Sequence, residues 1–159
     1  MGTAATSASP TPLIAADFRL AVIRSRYNED IVQGLVAGAL AAWQAHGGTE
    51  VALRVEQVPG AFELPLAARA LALSGSVDAV VALGCVIRGD TAHFDYVAGE
   101  CARGLQRVML DTGVPVSFGV LTVDTRDQAL ERAGAGPLNK GAEALETALA
   151  MAALLRRLV

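Results

Sequence analysis

Cysteine is scarce in this chain, with Cys85 and Cys101 the only two in 159 residues. They stand in no redox or metal-ligand spacing, so neither a disulfide framework nor a zinc site has support, and both read as reduced thiols. Charge is also thin. Charged residues make up 18% and leave a formal net charge of −3, against a charged share of roughly 25% in ordinary soluble domains. Lysine and arginine are dispersed, without the basic stripe that a phosphate backbone demands, which argues against nucleic acid as a partner. Long apolar runs are missing as well: Asp78, Arg88 or a glycine cuts them, and none approaches the roughly 20 residues that cross a bilayer. No membrane partner is expected. Residues Met1–Ala16 lack the positive start and apolar centre of a secretory signal, which makes the cytoplasm the expected location; their Ala, Ser, Thr and Pro composition reads as a loose arm.

What the chain has in excess is small apolar surface. Hydrophobic residues make up 53%, much of it alanine, and some of that surface is expected to lie between subunits. The length suits one domain with a real core, covering residues 17–159.

Arg19–Ser25 is a short apolar run of strand type, and Asn28 or Asp30 can cap the helix after it, where Ile31, Leu35, Ala39 and Ala42 recur at helical spacing. His46-Gly47-Gly48 ends that helix. Glu50–Val58 alternates as a second strand until Pro59-Gly60 breaks it, and a second helix is expected from Phe62 to Leu73. Val77–Cys85 is nearly continuous in apolar residues, the mark of a strand covered on both faces. A loop over Val86–Ala92 leads to a helix from His93 to Leu110, striped by Val97, Cys101, Leu105 and Val108 and closed by Thr112-Gly113. Pro115–Val123 gives the last strand, Gln128–Arg132 a short helix, and Gly134–Asn139 a loop before a terminal helix over Lys140–Leu158. This alternation predicts an α/β domain of three layers, with a central parallel sheet of about four strands and right-handed crossovers. The loops after the strand C-termini then gather on one edge, which is where function is sought.

The densest of those loops is Cys85–Phe94. In Gly89-Asp90-Thr91 the backbone can approach a ligand and offer free N–H groups beside the positive end of the next helix, an arrangement suited to phosphate; Asp90 or Thr91 can equally be a plain helix cap. His93 falls in the first turn of that helix, either as a general acid/base or as an ordinary surface histidine. His46 reads as a helix end. Tyr27 and Phe118 offer flat faces for a planar ring, although a lone aromatic beside a strand is ordinarily core. Glu63 can accept from sugar hydroxyls or stabilise the first turn of its own helix. Arg132 and Lys140 can hold phosphate or remain solvated. Gly134-Ala-Gly-Pro137 follows a helix rather than a strand and no Gly-Lys-Ser/Thr motif occurs, so neither a dinucleotide nor ATP is indicated.

The run Ala82-Leu-Gly-Cys-Val-Ile-Arg-Gly-Asp-Thr-Ala-His-Phe-Asp-Tyr-Val97 closely resembles the signature loop of the lumazine synthases. Ser25–Asn28, Val58–Pro65, Phe118–Thr125, Gln128–Gly134 and Asn139–Gly141 join it in register, so the resemblance covers the chain from about Phe18 onward. It implies a flavodoxin-like fold and a riboflavin-pathway transferase. The implied reaction condenses 5-amino-6-(D-ribitylamino)uracil with 3,4-dihydroxy-2-butanone 4-phosphate to give 6,7-dimethyl-8-ribityllumazine, phosphate and water, without metal or organic cofactor.

By the same resemblance Tyr27 stacks on the pyrimidine, Ala61, Phe62 and Glu63 bind the ribityl-uracil, and Cys85, Val86 and Ile87 line its ring. Gly89, Asp90 and Thr91 receive the keto-phosphate, Arg132 binds its phosphate, and His93 shuttles protons. Phe118 and Arg132 come from a neighbouring subunit, with Lys140 as a further contact. The family's basic unit is a homopentamer with sites between adjacent subunits, and icosahedral assemblies of pentamers occur in it. Two departures stand out: Tyr27 replaces the more usual Phe or Trp, and Ala135–Leu138 replaces a Lys/Gly-rich link common in icosahedral members. Pro137 fixes its own φ and biases Gly136 away from helix, which favours a free pentamer. Two non-catalytic readings compete. A receiver-like or flavin-binding module of the same fold meets the objection that Ser25 and Cys85 stand where a receiver carries acids. A shell-forming family member meets the intact His93 and Arg132.

Overall fold

The computed structural model describes residues 12–159, so most of the expected N-terminal arm, residues 1–11, lies outside the described residues. The arm's last residues are packed: Ala15 is fully buried in a single 3-10 turn and its N–H donates to the His46 carbonyl at 2.9 Å. Leu13 also packs, partly buried, against the same core.

Four strands, β1 (Leu20–Ser25), β2 (Leu53–Val58), β3 (Ala79–Ile87) and β4 (Val116–Val123), form one sheet in the order β2-β1-β3-β4. Every pairing is parallel. Among the described residues five α-helices alternate with them: α1 (Glu29–Ala45), α2 (Leu64–Leu73), α3 (His93–Thr112), α4 (Arg126–Ala133) and α5 (Lys140–Leu158). Side chains alternate across a strand, and the core divides accordingly. Leu20, Val22, Val81 and Leu83 meet Ile31, Leu35, Ala129, Leu145 and Leu149 of α1, α4 and α5. Ala21, Ile23, Val80 and Ala82 meet Leu64, Ala68, Cys101 and Leu105 of α2 and α3. The result is three α/β/α layers, as the alternation predicted, consistent with the flavodoxin-like fold that the resemblance implied.

β3 is the central covered strand, yet it starts and ends two residues later than its apolar run suggested. Val86 and Ile87 pair with Thr122 and Val123, so they belong to the strand and the loop starts at Arg88. β2 is shorter than expected: Glu50–Ala52 form a 3-10 turn and only Leu53–Val58 pair with β1. As an edge strand it leaves Arg54, Val55, Glu56 and Gln57 exposed, so its alternation carries less weight than in a covered strand.

Chain order places β1 and β3 side by side although α1, β2 and α2 separate them in sequence. The connections leaving these two strands run to opposite sides of the sheet, which opens a crevice at their carboxyl ends, the usual ligand position in such sheets. Beyond β4, the terminal helix is fixed by a buried Asn139. Its side-chain oxygen accepts from the Ala142 N–H at 3.0 Å, and its amide donates to the Gly34, Ala133 and Gly134 carbonyls at 3.0–3.1 Å. One side chain thus caps α5 and ties it to α1 and α4. Gly136, with φ 119, supplies the turn into this cap; a side chain there would be strained.

Candidate functional site

Three post-strand loops meet at the carboxyl edge of β1, β2 and β3, and the backbone joins them. The Arg26 N–H donates to Val58 O at 2.9 Å and the Tyr27 N–H to Pro59 O at 3.3 Å, which fastens the β1 loop to the β2 loop. Asn28 fastens it to β3: its side-chain amide donates to the Cys85 carbonyl at 3.0 Å. Asn28 takes a left-handed conformation, φ 57, and makes no helix-capping bond with its side chain. The expectation that it caps α1 is corrected here, because asparagine tolerates this backbone and its amide is spent across the crevice. This bridge was the part of the site that sequence reading missed; an Asn closing the short turn between β1 and α1 was the available signal.

Tyr27 is 61% exposed and Phe118 47% exposed, so neither is core. The Tyr27 ring lies over Gly60, where an added Cβ would come within 2.9 Å of two ring carbons. Beyond it, Ala61 is buried and Phe62 exposed in a 3-10 turn. One Glu63 carboxylate oxygen accepts from the Gly60 N–H at 3.1 Å, so Glu63 does stabilise its own turn. That bond uses one oxygen and leaves the other able to accept.

On β3, Cys85 is buried, and burial pushes its thiol up to about 11, with Arg126 lowering it and Asp30 raising it by smaller amounts. The thiol is neutral at physiological pH and packs in the core on the α1 side of the sheet. Val86 and Ile87 are half-buried at the strand end, and Gly89, Asp90 and Thr91 are exposed beyond it. Thr91 Oγ1 accepts from the His93 N–H at 3.3 Å, but the N-cap of α3 is Ala92 and no side chain caps it, so neither Asp90 nor Thr91 is the expected helix cap. His93 is exposed in the first turn of α3, on the same edge as the anion-suited loop.

Phe118, Arg132 and Lys140 form a second group. They line a cavity of about 430 Å³ on the outer side of β4, together with Thr122 and Glu143. Arg132 donates to Gln128 O at 2.9 Å and Lys140 to Glu143 at 2.8 Å, so both cations are half-occupied and still reach the cavity. Phe118 pairs with Ala82, five positions before Ile87, which puts it roughly 16 Å along the sheet from the β3 loop. The β1 loop, which carries Tyr27, stands two strands away from β4, roughly 10 Å across the sheet. One pyrimidine-sized ligand cannot touch both Tyr27 and Phe118 of the same protomer. Among the described residues no cluster of three or more His, Cys, Asp or Glu side chains could hold a metal ion, and no helix is long and apolar enough to cross a membrane.

With this geometry in place, the comparisons with known proteins are specific. The sequence profile of the 6,7-dimethyl-8-ribityllumazine synthase family matches residues 17–156. A 6,7-dimethyl-8-ribityllumazine synthase from Chlorobium limicola (strain DSM 245 / NBRC 103803 / 6330) is 51% identical over 145 residues, which cover 91% of this chain and 94% of the relative.

Proposed function

Because the chain belongs to the 6,7-dimethyl-8-ribityllumazine synthase family, as a transferase of riboflavin biosynthesis, we propose that it condenses 5-amino-6-(D-ribitylamino)uracil with 3,4-dihydroxy-2-butanone 4-phosphate in sites shared between neighbouring subunits of a cytoplasmic homopentamer. The observation that carries the shared site is the separation of the two groups: Tyr27, Ala61–Glu63 and Cys85–His93 on one edge, and Phe118, Arg132 and Lys140 around a cavity beyond β4. Each group is half of a site and each is open in a single protomer. Stacking a second copy's β4 side against the loops of the first completes the ring-binding sandwich, with Tyr27 on one face of the pyrimidine and Phe118 near the other.

In this arrangement the Pro59–Glu63 turn receives the ribityl-uracil. The free oxygen of Glu63 accepts from its hydroxyls, and Cys85–Ile87 border the ring through their backbone. The keto-phosphate lies against Gly89, Asp90 and Thr91, where loop N–H groups and the start of α3 favour an anion, and the partner subunit's Arg132 closes on the phosphate. Chemistry then needs proton movement more than activation. The amine adds to the carbonyl and water leaves to form an imine; phosphate leaves; the ring closes with loss of water. His93, within the same loop system, takes and returns the protons at these steps, while the site contributes by holding the two substrates in register. No resident cofactor is required by this sequence of steps.

The test is lumazine formation followed by absorbance, with the spontaneous reaction subtracted. Saturable acceleration in both substrates supports the enzyme; a folded oligomer without acceleration would replace it with a flavin-binding or shell-forming role.

A further inference from the structure

The four-residue loop Gly89–Ala92 has little of its own to hold it. A methyl at Gly89 would meet nothing within 4 Å, and Gly89, Asp90, Thr91 and Ala92 are all exposed. Its internal bonds are local: Thr91 Oγ1 with the His93 N–H, and the Ala92 carbonyl with the Asp95 N–H at 3.0 Å. A loop of this kind places its N–H groups poorly unless its ends are fixed.

Arg88 touches both ends. At the start, its own N–H donates to the Val123 carbonyl at 2.9 Å, the last rung between β3 and β4. At the finish, its guanidinium reaches over the loop to the first turn of α3, donating from Nη1 to Asp95 at 3.3 Å and lying 4.3 Å from the centre of the Phe94 ring. The same guanidinium donates from Nε to Asp124 at 3.0 Å. Asp124 is itself held, since its N–H donates to the Gln128 side chain at 2.8 Å.

From this geometry we propose that Arg88 is a positioning residue that clamps Gly89–Ala92 between the end of β4 and the first turn of α3, and so sets both the anion loop and His93. The inference rests on the reading of that loop as the keto-phosphate site. Arg88 is not cast as a phosphate ligand, because its fork is engaged by Asp95 and Asp124 and its face by Phe94. It also neutralises the two carboxylates that flank an incoming dianion. Exposed ion pairs of this kind contribute little to global stability, so the effect belongs in loop geometry rather than in folding. The planar fork is what spans the two acids; a lysine reaches one at a time.

The experiment compares the wild-type enzyme with Arg88→Met, which keeps the stem, and Arg88→Lys. Hydrogen–deuterium exchange over residues 86–96 is read beside steady-state kinetics with each substrate varied. The expected result for Arg88→Met is faster exchange confined to that segment and a KM for the keto-phosphate raised about tenfold, within the range that slight misplacement costs. The KM for the pyrimidine stays within twofold, and Arg88→Lys falls between. Unchanged exchange with a raised KM would mean that Arg88 binds the phosphate directly and would overturn the clamp. Faster exchange with both KM values unchanged would uphold the clamp and overturn the keto-phosphate assignment of the loop. Unchanged exchange and unchanged kinetics would overturn the proposal alone.

Discussion

At the residue scale, His93 and Cys85 sit eight positions apart on one loop system and are chemically opposed. His93 is exposed at the start of α3 and unencumbered by any side-chain bond among the described residues. Its replacement by alanine is expected to lower kcat by about a hundredfold, the usual worth of a positioned proton shuttle, with melting temperature unchanged. An unaltered kcat would take His93 out of the mechanism. Cys85, in contrast, is held neutral by burial at about 11, against an ordinary value of 9.0. A raised thiol value gives stability that is complete below pH 9 and is lost as pH climbs through 11, because the unfolded thiol ionises first. Cys101, pushed up to about 12 by burial alone, extends the same loss to higher pH. Melting temperature measured from pH 8 to 11 should therefore fall more steeply in the wild type than in Cys85→Ala; parallel curves would contradict the buried, neutral thiol.

At the scale of elements, the junction between α4 and α5 depends on one side chain. Asn139 caps α5 and answers carbonyls from α1, α4 and the loop between α4 and α5. Removing it as Asn139→Ala deletes the cap and leaves buried carbonyls without donors, a cost of about 2–4 kcal/mol. Urea unfolding should record that loss as a lower midpoint with the same slope. A change below about 0.5 kcal/mol would show that water replaces the amide freely, since that is the range of an ordinary surface substitution. The consequence reaches the cavity beside β4, because α4 carries Arg132 and α5 begins at Lys140, and both line it.

At the scale of the whole molecule, the chain leaves large apolar side chains in water: Leu66, Leu73, Tyr96, Leu110, Phe118, Leu130 and Leu138 are all exposed in the single protomer. Apolar exposure of this extent is what subunit interfaces cover. A shared site gives a sharp test. If His93 and Arg132 of one site come from different subunits, then refolding equal amounts of His93→Ala and Arg132→Ala together restores about one quarter of the wild-type sites, by random arrangement around a cyclic ring. Each variant alone restores none. Recovery to that level supports sites between subunits; no recovery above the separate variants would place both residues in one protomer's site.

Local chemistry determined much of this protein from sequence. The apolar run of β3, the stripe on α3 and the start of α5 at Lys140 are visible because burial and loop composition leave their mark on neighbouring residues. The signature loop, with its glycine, hydroxyl and histidine, could be placed at a strand end for the same reason. Other features were decided only when the chain folded. The end of β3 moved to Ile87 because its ladder to β4 continues past the apolar run, and the start of β2 was lost to a 3-10 turn at an edge where one partner strand cannot enforce pairing. Asn28 gave up the expected cap for a bond to Cys85 O, a residue 57 positions away. Tyr27 and Phe118 could be assigned to the surface only once the sheet order separated them. Sequence records what each residue prefers beside its neighbours in the chain; distances across the sheet, and with them the separation of Tyr27 from Phe118, follow from strand order and register, which only the tertiary structure fixes.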